Sequence, residues 1–137
     1  MAFMAKKKPE VKLNSWGIYT PWTDQSKELP TLIKMTHDIP CELDVEFGYI
    51  VNIKKAKNKK LAYCIYHPEI PDEEGKPLPP FDGEVYIKQN DWNFFIGDTI
   101  WQPVENKQGA WRITLAIEGK IVADETFNLI LQSSPAD

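Results

Sequence analysis

No stretch of this chain stays apolar long enough to span a membrane, since a membrane helix needs roughly 18 consecutive apolar residues and the longest runs here are a few residues. The opening MAFMAKKKPE carries lysines with no apolar segment after them, so the pattern of a secretory leader is missing. Cysteine is scarce: Cys41 and Cys64 are the only two, too few for a disulfide-stapled scaffold. These absences together point to the cytoplasm, with both thiols expected reduced. Excess basic charge is also absent. Sixteen basic residues against 20 acidic give a formal charge of -4, which disfavours a dedicated nucleic-acid binder. No nucleophile elbow, phosphate-binding loop, zinc-protease helix or dinucleotide fingerprint occurs, so an enzyme is disfavoured and no cofactor is expected. There is no internal repeat and no long run at helical period.

What is present is alternation. Gly109 to Leu131 reads GAWRITLAIEGKIVADETFNLIL, with Trp111, Ile113, Leu115, Ile121, Ala123, Phe127, Leu129 and Leu131 apolar at odd positions. Successive side chains on a strand face opposite ways, so this is a hairpin with one dry face. Matching odd positions to odd positions demands an odd-length loop. The parity predicts a three-residue loop, Ile117-Glu118-Gly119, pairing Leu115 with Ile121 and Ile113 with Ala123, with Glu125 near the rim.

Val11 to Thr20 starts with odd apolar positions and ends with even ones, so a bulge is expected near Asn14-Ser15. Thr31 to Ile39 reads as one strand with Ile33, Met35 and Ile39 on a common face. Leu43 to Ile53 is the longest clean alternation and reads as a central strand. Five lysines within Lys54 to Lys60 then form the charged tip of a second hairpin, with Asn58 left-handed. Pro68 to Gly83, with five prolines and the cluster Asp72-Glu73-Glu74, reads as exposed loop. Strands at 83 to 88 and 92 to 96 follow, the second ended by Gly97-Asp98.

About eight short strands separated by stiff turns predict an all-β fold, an antiparallel β-sandwich of immunoglobulin-like architecture; a closed barrel is the alternative. The domain should span 11 to 131, between a disordered tail at 1 to 10 and another at 132 to 137.

Several groups invite chemistry. His37, Cys41, Cys64 and His67 are zinc-ligand types, but on an extended strand Cys64 and His67 are about 10 Å apart and oppositely directed, against a metal site. Asp44 and Glu46 fall on one strand face about 6.5–7 Å apart, a spacing that suits an inverting glycosidase and equally a solvated face. The lysine-rich segment lacks the interleaved aromatics of a single-strand binder and reads as a solvated turn. Trp22, Trp92 and Trp101 sit in or beside turns, as loop anchors or as contacts for a sugar or a protein.

Glu42-Leu43-Asp44-Val45-Glu46-Phe47-Gly48, Asn90-Asp91-Trp92, Gly97-Asp98-Thr99-Ile100-Trp101 and Gly109-Ala110-Trp111 carry a resemblance. With them the chain resembles, over nearly its whole length, a small bacterial family known only as a domain of unknown function. The resemblance implies a bacterial stand-alone domain and supplies no catalytic or binding residues. The expected function is a non-catalytic protein-interaction module with an unknown protein partner or a second copy of itself. A carbohydrate-binding module using the three tryptophans is the second expectation, and a hydrolase using the strand-face carboxylates the third.

Overall fold

A computed structural model describes residues 8 to 131 apart from Asp24. The expected tails, 1 to 10 and 132 to 137, lie outside the described residues except Lys8, Pro9 and Glu10, the last of which already opens a strand. The strands are β1 (Glu10–Tyr19), β2 (Leu32–Lys34), β3 (Asp38–Pro40), β4 (Glu46–Lys54), β5 (Lys60–Tyr66), β6 (Phe81–Tyr86), β7 (Asp91–Thr99), β8 (Gly109–Ile117) and β9 (Lys120–Ile130). They form two sheets in the orders β2-β1-β4-β7 and β3-β9-β8-β5-β6. Every pairing is antiparallel except β3 with β9, which is parallel.

The core lies between the sheets. Phe47, Tyr49, Val51 and Ile53 of β4 meet Trp111, Ile113, Leu115 and Phe127 of the β8–β9 hairpin, all essentially without solvent contact. Ring edges interlock across the layers, with Phe47 perpendicular to Trp111 at 5.5 Å, a geometry the ring quadrupoles favour. Two polar handles are satisfied inside. The Tyr49 hydroxyl donates to the Ile113 carbonyl at 2.9 Å, and the Trp111 indole N–H donates to the Lys107 carbonyl at 2.8 Å. Burial pushes the Tyr49 hydroxyl pKa up, with Glu125 and Asp124 adding to the rise, so it stays a donor.

The expected bulge in β1 is present, the register with β4 shifting between Leu13 and Ser15. Four other expectations need correcting. The strand foreseen over 31 to 39 is two strands in different sheets, which raises the total to nine among the described residues. Ile39 is buried, while Ile33, on the edge strand β2, and Met35, just beyond it, are exposed. The lysine segment is no hairpin tip, because β4 and β5 belong to different sheets and the segment crosses between them. Ala56, 1% exposed, is its inward plug, and the Lys55 and Asn58 amides donate to the Asn90 and Ile87 carbonyls. Asn58 is left-handed as expected.

The third correction concerns the C-terminal turn. Ile117 pairs directly with Lys120, so the loop is two residues, Glu118 and Gly119, both at positive φ as a primed hairpin turn requires. Parity is restored further along by a register shift, with Ala116 opposite Ile121 and Leu115 opposite Ala123, which returns Phe127 and Leu129 to the core and leaves Ile121 outside. Glu125 then stands opposite Ile113, part-exposed and 3.5 Å from His37. Fourth, the loop after β5 is less exposed than its prolines suggest. Ile70 is buried, and strand structure resumes at Phe81. The described chain also contains one 3-10 turn, Val104–Lys107.

Candidate functional site

The two sheets close against each other at the β1–β9 side and part at the opposite side, where β7 and β6 are the last strands of their sheets. β7 alternates about the pleat. Trp92, Phe94, Ile96 and Asp98 stand opposite Ile53, Val51, Tyr49 and Phe47 of β4 and so share the inner face. Facing them, β6 offers Phe81 and Val85 on either side of Gly83. A Cβ on Gly83 would lie 2.4 Å from the Tyr63 hydroxyl, so the missing side chain lets the Tyr63 ring lie flat across β6. The result is a cleft of about 840 Å³ lined mainly by aromatic and aliphatic side chains, within the range of about 300–1,000 Å³ usual for ligand sites.

Of the three tryptophans singled out in the sequence, Trp92 and Trp101 line this cleft and Trp22 borders it from across the β7 edge; all three are half-buried. Trp92 packs on Phe94 with centroids 5.1 Å apart. Trp101 is held from three sides: Phe81 at 6.0 Å, Trp111 edge-on at 6.1 Å, and the Lys107 ammonium 4.4 Å above its ring. Lys107 itself has no solvent contact; its ammonium donates to the Pro103 carbonyl at 2.9 Å and to the Asn106 side chain, and burial pulls its pKa down. Trp22 lies on the outer side of the β7 edge, its ring meeting Phe95 at 5.5 Å and its indole N–H donating to the Glu28 carbonyl at 3.1 Å.

Two carboxyl groups flank β7. Asp98, on the inner face and lining the cleft, accepts a hydrogen bond from the Thr99 amide at 2.8 Å and forms no ion pair among the described residues. Burial pushes its pKa up, with the Thr99 amide and the His67 imidazole pulling the other way. Glu46 is buried on the outer face. It accepts from the Thr99 hydroxyl at 2.8 Å and the Trp22 amide at 3.3 Å, while burial, reinforced by Asp98, pushes its pKa up.

The other sequence candidates separate. Asp44 and Glu46 do not share a strand face: Asp44 is exposed in a turn at φ 70, its amide donating to the Ile100 carbonyl, and β4 begins only at Glu46. The turn takes Leu43 and Asp44 out of the strand because the chain must still travel from β3 in one sheet to β4 in the other. His37 stacks on Trp16 at 5.6 Å, and His67 sits against Phe81 at 4.5 Å with its ring nitrogens 2.6 and 2.9 Å from the Pro68 and Pro79 carbonyls. The buried Cys41 thiol donates to the Val104 carbonyl, and Cys64 is half-buried. Among the described residues no three metal-ligating side chains converge.

Sequence reasoning missed Asp98 as a cleft residue by ending the strand at Gly97. The signal was available: continuing the alternation of Trp92, Phe94 and Ile96 through Gly97 places Asp98 inside. Lys107 carried no such signal, since it stands in a polar run, Glu105-Asn106-Lys107, where a charged side chain reads as exposed.

A crystal structure of an immunoglobulin-like protein (PA1606) from Pseudomonas aeruginosa superposes with a TM-score of 0.69 at 17% identity, over 88% of this chain and 97% of that one. The sandwich is therefore immunoglobulin-like. No curated protein matches the chain. The family model described as Domain of unknown function (DUF3859) matches residues 7–129, and the chain belongs to that family.

Proposed function

We propose that this is a non-catalytic binding module, working in the bacterial cytoplasm, whose recognition surface is the cleft between β7 and the β5–β6 edge. The observation that carries the reading is convergence: Trp92 and Trp101, apart in sequence, line the cleft between the sheets, and Trp22 flanks the same β7 edge from its outer side. Aromatic side chains in such a position give large contact area at little entropic cost. The two free cysteines are in keeping with a reducing compartment. The separation of Asp44 from Glu46 removes the arrangement on which a hydrolase would have rested. The experiment is capture from a bacterial lysate on immobilised protein, run in parallel with Trp92→Ala. A partner retained by the natural chain and lost by the variant supports the reading; equal retention by both places recognition elsewhere.

A carbohydrate ligand is the second reading, favoured by the half-exposed indoles of Trp92 and Trp101 in one groove. One face of Trp101 is already covered by Lys107, which leaves fewer stacking platforms. A shift of tryptophan emission on adding oligosaccharides, abolished in Trp92→Ala, would favour sugar over protein.

A further inference from the structure

We infer that the cleft takes an extended basic peptide, lying along the free edge of β7 with a lysine or arginine side chain at Asp98. This deepens, and rests on, the reading of the cleft as the recognition surface. Three observations carry it. The first is the edge. β7 pairs with β4 on one side and with no strand on the other among the described residues, so its outer backbone groups are open to strand addition. The second is shape. Trp92 to Asp98 spans six residue steps, about 20 Å of extended chain, and the cleft follows that length, from Val85 and Lys88 near Trp92 to Phe81 and Trp101 near Asp98. An added strand sharing the pleat of β7 would direct alternate side chains inward along it.

The third observation is charge. Asp98 is the carboxylate on the inner face of β7, part-buried among aromatic rings, and among the described residues its one hydrogen bond comes from the neighbouring Thr99 amide. His67 is the nearby imidazole, and its two ring nitrogens lie 2.6 and 2.9 Å from the Pro68 and Pro79 carbonyls and make no hydrogen bond to Asp98 among the described residues. Lys88 lies at the far end of the cleft, and Lys27 is on the loop outside the β7 edge; neither pairs with Asp98. A guanidinium or ammonium entering at that end would meet a carboxylate that forms no ion pair among the described residues and the faces of Phe81 and Trp101, the two kinds of group that hold organic cations.

The test is a titration followed by tryptophan emission, using the peptide acetyl-Val-Thr-Arg-Thr-Val-amide and its counterpart with neutral citrulline in place of arginine. The arginine peptide is expected to bind at least about tenfold more tightly, the discrimination a charge-assisted hydrogen bond provides. Asp98→Asn should weaken the arginine peptide by a similar factor and bring the two peptides to nearly equal affinity. Equal affinity for both peptides, an unaltered preference in Asp98→Asn, or no binding of either at millimolar concentration overturns the inference. The peptide comparison on the natural chain stands even if the variant folds poorly. Equal peptide affinities that are both lost in Trp92→Ala sink the basic-peptide inference alone. Lysate capture insensitive to Trp92→Ala sinks the cleft reading itself.

Discussion

Asp98 and Glu46 show how a single side chain can set against the fold the charge it carries. Both carboxyl groups titrate above their ordinary values because burial disfavours the charged form. A raised folded pKa means that, between the ordinary carboxylate value and the folded one, the native state binds more protons than the unfolded chain. Stability therefore falls as pH rises through that window, and the cost persists above it. Asp98→Asn and Glu46→Gln should each flatten this slope and leave the protein at neutral pH as stable as the natural chain or more so. The glutamine retains an oxygen to accept from Thr99, and the asparagine can accept from the same amide. Thermal melts between about pH 4 and pH 7 check this, and a variant that is less stable at neutral pH with the same slope contradicts it. Asp124 and Arg112 are the opposite case. Their bidentate pair, at 2.7 and 2.9 Å on the exposed face, lowers the Asp124 pKa, so its small contribution is lost as pH falls.

Strands were legible wherever one face alone is wet, because burial then writes a period of two into the sequence. The β8–β9 hairpin and the dry face of β4 follow it, and so does the bulge in β1, which announces itself as a slip of parity. Legibility failed where two devices give the same pattern. An odd loop, and an even loop followed by a bulge, both bring Phe127 and Leu129 inward, and only backbone geometry decides between them. Nor can alternation tell which sheet a strand joins, which is why β2 and β3 read as one strand and the β4–β5 crossing as a hairpin. Glycines hide similarly. Gly17, Gly48 and Gly97 lie opposite one another across three adjacent strands. A Cβ on Gly48 would come within 2.1 Å of the Ile96 carbonyl oxygen, at a φ of +156. Gly119 in the hairpin turn has φ +80 and nothing within 4 Å. Gly119→Ala should therefore cost about 1–2 kcal/mol, the backbone penalty alone, and Gly48→Ala more than about 3 kcal/mol, since backbone must also move. Chemical denaturation of the two variants measures the difference; equal losses would contradict the account of the glycine row.

At the scale of the whole molecule the sandwich is unevenly closed. Trp111 ties the two sheets to each other and to the turn that carries Lys107, so Trp111→Ala should cost about 3–5 kcal/mol and lower the stability of both sheets in one transition. Separate melting of the two sheets would show that the layers are less coupled than their interlocked rings imply. On the opposite side the sheets diverge, and Trp92 and Trp101 lie there. That grouping could not be read from the sequence, because the partners across the cleft, β6 and β7, are never hydrogen-bonded to each other and are brought face to face only by the stacking of the two sheets.

The most direct measurement is amide chemical-shift mapping of the labelled protein as the arginine-containing peptide is added. The account predicts that the shifted amides cluster along 91 to 99 and 81 to 85 and include the side-chain N–H of Trp92 and Trp101. Perturbations concentrated instead on the exposed faces of β8 and β9, with the cleft unmoved, would contradict it.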